Sequence, residues 1–173
     1  MNLPDCRTVL QVRSFIVLRM RFGLVVLASF PLWSQSLQVS PSAAARGEAG
    51  SFLIKLESPK GRELVALQWE VAAPLEIVID PGSIVAGSAA EAAQKSINCA
   101  SVGKQDRGGS RYACILAGGK KTIGNGPVAV VRYGIRKGVS AGTVVVRIEK
   151  AIGVTGDLTK VDIGNVEGMV TIR

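Results

Sequence analysis

The sequence predicts an all-β fold, an antiparallel sandwich of about nine strands in jelly-roll order. Three observations predict it. From about Leu37 onward, apolar and polar residues alternate in short runs, the period-two pattern of half-buried strands. Turn residues separate the runs, as in Ser58-Pro-Lys-Gly61, Asp80-Pro-Gly82 and Asp106-Arg-Gly-Gly109. Only Ala89-Ala-Glu-Ala-Ala-Gln-Lys95 has helical character, about two turns of it.

The elements follow in order. Leu37-Gln-Val-Ser40 reads as a first short strand. Residues 41–50 are small and polar, a loop. Ser51-Phe-Leu-Ile-Lys-Leu-Glu57 alternates and forms the second strand. Val65-Ala-Leu-Gln-Trp-Glu-Val71 alternates more strictly, with Leu67, Trp69 and Val71 on one side and Gln68 and Glu70 on the other. Leu75-Glu-Ile-Val-Ile79 is the next strand. Residues 97–101 and 111–116 form a hairpin. Residues 127–135, 143–151 and 169–172 complete the set. Strands this short and this free of helices pack as two antiparallel sheets. No internal repeat is visible.

A leader precedes this domain. Arg13, Arg19 and Arg21 lead into Phe22-Gly-Leu-Val-Val-Leu-Ala-Ser-Phe-Pro-Leu-Trp33. A basic segment followed by about a dozen apolar residues has the proportions of a secretory signal peptide. It is short for a membrane span. Ser34 and Ser36 offer small residues for cleavage. The expected division is a signal peptide over 1–36, with Met20 a possible true start, and one domain over 37–173. No Cys directly follows the apolar run, which argues against a lipid anchor. The expected destination is secreted, extracellular or periplasmic.

Composition excludes several classes of function. The chain has 173 residues, enough for one domain with a real core. It contains no His, which removes Ser-His-Asp and Cys-His nucleophile systems and most zinc sites. A carboxylate pair could still hydrolyse glycosides. Glu57, Glu63, Glu70, Glu76, Asp80, Glu149, Asp157 and Asp162 form no recognisable pair in the sequence. The net charge of +8 is inflated by the leader, beyond which 17 basic and 12 acidic residues remain. They are scattered, whereas a nucleic-acid reader would show a basic stripe with interleaved aromatics. The expectation is a non-enzyme that needs no cofactor and no metal and has no nucleic-acid partner.

The cysteines add a constraint. Cys6 leaves with the leader, so Cys99 and Cys114 remain. Symmetric pairing about the 106–107 turn sets 99 opposite 114, 101 opposite 112 and 97 opposite 116. Directly opposed residues lie within disulfide reach. An oxidising destination makes a bridge the expected state. Two reduced thiols packed as small apolar groups are the alternative.

Four stretches resemble the cohesin family, the receptor modules of cellulosome scaffoldins, and related carbohydrate-binding domains. They are Ala66-Leu-Gln-Trp-Glu-Val71, Ile79-Asp-Pro-Gly-Ser-Ile-Val-Ala-Gly-Ser88, Arg111-Tyr-Ala-Cys-Ile-Leu-Ala-Gly118, and Gly124-Asn-Gly-Pro-Val-Ala-Val-Val-Arg-Tyr133 followed by Gly142-Thr-Val-Val-Val-Arg-Ile148. Their order matches across residues 37–173. The chain departs from the pattern at Ala72-Ala-Pro-Leu75 and in the helical stretch after Ser88. The resemblance implies a nine-stranded jelly roll, one sheet face of which docks a protein partner, a dockerin. Alternation along the strands turns Gln68, Glu70, Asn98, Arg111, Ile115, Arg147 and Glu149 outward on that face, with Ala100, Ala113 and Val145. The implied function is a secreted, non-catalytic protein-recognition module, with a possible link to polysaccharide degradation. The alternative is a carbohydrate-binding module of the same architecture, which would need exposed rings. Of Phe52, Trp69, Tyr112 and Tyr133, the alternation sets Trp69 and Tyr112 inside.

Overall fold

The structure, a computed structural model, describes residues 34–104 and 108–173. The strands run β1 (Ser36–Val39), β2 (Ser42–Ala44), β3 (Ala49–Glu57), β4 (Leu64–Ala73) and β5 (Ile77–Val78). After a 3-10 turn at Pro81–Ser83 come β6 (Ile84–Ala86), the short helix α1 (Ser88–Ala92), β7 (Ser96–Lys104) and β8 (Ser110–Ala117). The chain ends with β9 (Gly126–Ile135), β10 (Gly142–Thr155), β11 (Lys160–Ile163) and β12 (Val166–Ile172).

Two sheets form the sandwich. The smaller has the order β1-β3-β9, with β5 and β6 sharing the far side of β9. The larger has the order β2-β12-β10-β4-β8-β7, with β11 beside the second half of β10. Period-two burial explains the assembly. Leu67, Trp69 and Val71 of β4 are each at most 1% exposed, while Gln68 between them faces solvent. Cys114 and Leu116 of β8 and Val146 and Ile148 of β10 join them inside. Phe52, Ile54 and Leu56 of β3, with Val131, Tyr133 and Ile135 of β9, supply the opposing layer. Gly50 lies opposite Tyr133, whose hydroxyl would lie 2.5 Å from any Cβ added there. A side chain at residue 50 would therefore displace the ring. Tyr133 also shares a hydrogen bond of 2.6 Å with Ser42 Oγ.

The fold class agrees with the sequence reading, and the hairpin register agrees residue by residue: 97 opposite 116, 99 opposite 114, 101 opposite 112. Several details do not agree. Twelve strands are present among the described residues, where about nine were expected. Residues 41–50 are not a plain loop, because β2 lies within them and pairs in parallel with β12. Such a pair depends on a distant partner, so local pattern does not announce it. The 75–79 strand shrinks to Ile77–Val78, and β6 and β11 lie where the alternation reads no strand. The helix is Ser88–Ala92 rather than 89–95, ended by Gln94 with φ of 56°. The expected leader lies outside the described residues as far as Trp33, as do Asp106 and Arg107 of the hairpin turn. Gln35, by contrast, is buried and its Nε2 donates to Arg62 O at 2.8 Å, and Ser36 already pairs with Glu57.

Candidate partner-binding face

The outer face of the larger sheet gathers the residues that alternation turns outward. β10, β4, β8 and β7 are successive neighbours there. Directly paired residues point to the same side. One row runs Glu149–Glu70–Ala113–Ala100 and the next Ile152–Gln68–Ile115–Asn98. A third runs Arg147–Ala72–Arg111, with Glu167 of β12 beyond Arg147. Gln68, Glu70, Asn98, Arg111, Ile115 and Glu149 thus form one surface, and Arg147 stands at its margin toward β12.

Two kinds of terrain meet on it. Gln68, Asn98, Ala100, Ala113 and Ile115 surround a shallow, mainly apolar depression of about 370 Å³, with Cys99 and Cys114 also at its lining. Ile115 is 46% exposed, a large aliphatic side chain left in water. The Cys99–Cys114 disulfide joins β7 to β8 across Cα atoms 4.1 Å apart. Cys114 is buried and is the cross-strand partner of Trp69 on the core side, so the bridge fixes the depression from beneath.

Beside the depression is an ionic network. Arg111 Nη1 donates to Glu70 Oε2 and to Glu149 Oε2, each at 2.8 Å, and Lys150 Nζ donates to Glu70 Oε1 at 3.0 Å. Arg147 Nε donates to Glu167 Oε1 at 2.8 Å. Here the sequence expectation fails: two carboxylates, Glu70 and Glu149, do stand directly opposite each other. The pair is not arranged for acid–base work. A general acid on a glycosidic bond needs a raised pKa. The hydrogen bond from Arg111 instead holds Glu70 below the ordinary glutamate range, against the opposing effect of burial and with help from Lys150. The same hydrogen bond to Glu70, aided by Glu149, raises Arg111.

Alternation could not find Lys150. Glu149 and Ile152 pair with Glu70 and Gln68, so two residues, 150 and 151, oppose Trp69 alone. This is a β-bulge, and Lys150 takes φ of 51° in it. A lysine at a left-handed position carries no turn signature of the kind a glycine would.

All four aromatic residues among the described residues, Phe52, Trp69, Tyr112 and Tyr133, are buried. Tyr112 donates its hydroxyl to Ile79 O at 2.7 Å inside the core. No described ring stands on the surface to stack against a sugar.

No protein-family model matches the sequence, and no curated protein matches it. Solved structures do match. A type I cohesin, Coh-OlpA, from Clostridium thermocellum, solved in complex with the dockerin Doc918, superposes with a TM-score of 0.66 at 15% identity, covering 81% of this chain and 99% of that one. The fold is that of a cohesin. A non-cellulosomal cohesin from the archaeon Archaeoglobus fulgidus gives a TM-score of 0.64 at 11% identity, with coverage of 81% and 91%. The sixth cohesin of scaffoldin B from Acetivibrio cellulolyticus, in complex with a Cel5 dockerin, gives 0.64 at 16% identity, with coverage of 81% and 99%. At these identities the cohesin likeness is one of architecture. The archaeal example has that architecture in a cohesin described as non-cellulosomal.

Proposed function

We propose that this protein is an extracellular, non-catalytic recognition module that binds a dockerin-type protein through the outer face of its larger sheet. The observation that carries the reading is the surface itself: a solvent-exposed Ile115 beside an apolar depression, braced by a disulfide and bordered by ordered ion pairs, on a cohesin-like sandwich. Apolar centres with polar margins are the usual anatomy of protein-recognition patches. Gln68, Glu70, Asn98, Arg111, Ile115, Arg147 and Glu149 are the proposed contacts. Export belongs to the same reading: the leader over 1–36 directs secretion, and the disulfide suits an oxidising compartment. By the family resemblance, the setting extends to polysaccharide degradation.

Calorimetric titration of the purified chain against a panel of dockerins tests the reading. One-to-one binding that Ile115→Asp abolishes is the expected result. Binding to polysaccharides alone would favour the carbohydrate-binding alternative. Binding that Ile115→Asp leaves unchanged would move the site elsewhere. N-terminal sequencing of the secreted protein checks the boundary, with Leu37 expected. A start at Gln35 or earlier would keep the Gln35–Arg62 bond in the mature domain.

A further inference from the structure

The charges of this domain are unevenly divided. On the outer face of the larger sheet, Arg111, Arg147, Lys150 and Lys160 are matched by Glu70, Glu149, Asp162 and Glu167. Each of these eight groups is in an ion pair with another of them, at 2.8–3.1 Å. The face is therefore neutral and internally satisfied. The other described residues of the domain carry twelve basic and seven acidic side chains, an excess of +5. From net charge alone, an acidic partner would be expected. The proposed face offers such a partner no cation, among the described residues, that lacks a carboxylate partner.

We infer that the partner of this face presents an uncharged, apolar-centred surface rather than an acidic one; the inference rests on the reading proposed above. Arg111 is committed to two carboxylates and its side chain is only 27% exposed. A partner carboxylate that sought it would leave Glu70 and Glu149 facing each other without their shared cation. A partner ammonium directed at Glu70 would meet Arg111 and Lys150 already in place. A charge of either sign therefore meets groups already neutralised by a neighbour, and gains less than it would beside a free ion. An aliphatic side chain seated beside Ile115, over Ala100 and Ala113, buries apolar area and disturbs no ion pair. The exposed amides of Gln68 and Asn98 on either side of Ile115 accept or donate hydrogen bonds without net charge. They suit neutral polar or backbone groups around that anchor.

A display library tests this, built on the Clostridium thermocellum dockerin with its surface side chains randomised and selected on the purified full chain. The expected consensus carries an aliphatic anchor among neutral residues. Its affinity should change by less than about threefold between about 0.05 and 0.5 M NaCl, because screening has little to act on. Ile115→Asp should weaken selected clones at least about 50-fold, the scale of losing a central interface anchor. A circular dichroism melt confirms that this variant is folded, and Ile115→Ser serves as a second variant if it is not. A consensus rich in Asp and Glu, with affinity falling about tenfold or more over the same salt range, would overturn the inference while leaving the face intact if Ile115→Asp still abolished binding. No enriched clone, or clones indifferent to both Ile115 variants, would overturn the proposed face and the inference with it.

Discussion

The two sides of β4 make an instructive comparison. Toward the core, Leu67, Trp69 and Val71 are almost wholly removed from water. Toward solvent, Gln68 is exposed and Glu70 is held by Arg111 and Lys150. The same backbone serves both, and the pleat alone separates them. On the inner side the residue type is dictated by burial, so a substitution registers as lost stability. On the outer side the arrangement is dictated by pairing between side chains, so a substitution should cost little stability.

The inner side offers the largest test of this contrast. Trp69→Ala should destabilise the domain by about 3–5 kcal/mol, the usual cost of emptying a large core aromatic. Thermal or urea unfolding measures it, and an unchanged melting temperature would invert the assignment of faces. Next comes the tie between the sides. Replacing Cys99 and Cys114 by Ala together should cost about 3 kcal/mol, the chain-entropy value for a loop of this size. Equal stability of oxidised and reduced protein would remove the disulfide's bracing role.

The outer side should respond less. Because Arg111 depresses the Glu70 pKa, the ion pair contributes stability above the unfolded-state pKa of about 4.3. That contribution is lost as pH falls through the lower folded-state value. The melting temperature of the native protein should therefore fall more steeply below about pH 4.5 than that of Glu70→Gln. Parallel curves would show that the network is decorative. Smallest of all, Ile115→Asp should change stability by no more than about 0.5 kcal/mol, as surface substitutions usually do. A large loss there would mean that the apolar patch belongs to the core.

Much of this contrast is legible in the sequence because period two is a strong signal where one face is buried. Gln68, Glu70, Asn98, Arg111 and Ile115 all emerge on the expected side, and the Cys99–Cys114 register follows from a single turn. What alternation cannot reach is whatever depends on another strand. Three-residue β2 exists because β12 lies beside it. The Glu70–Glu149 pair requires the register of β4 against β10, which are separated by some 80 residues. Lys150 enters the network only because a bulge lets β10 absorb one residue beyond the pleat. β10 needs that accommodation, since its first half pairs with β12 and its second with β11.

The parallel strand pair at the margin of the larger sheet has a consequence for timing. Arg173 donates its backbone N–H to Ala44 O, and Arg46 donates to Arg173 O, so the end of β12 is clasped by a segment from the beginning of the domain. Contacts spanning so much of the chain form slowly, because the intervening polypeptide must first be brought round. Closure of the larger sheet must therefore wait until β12 is available to β2, so the first and last strands of that sheet are completed together.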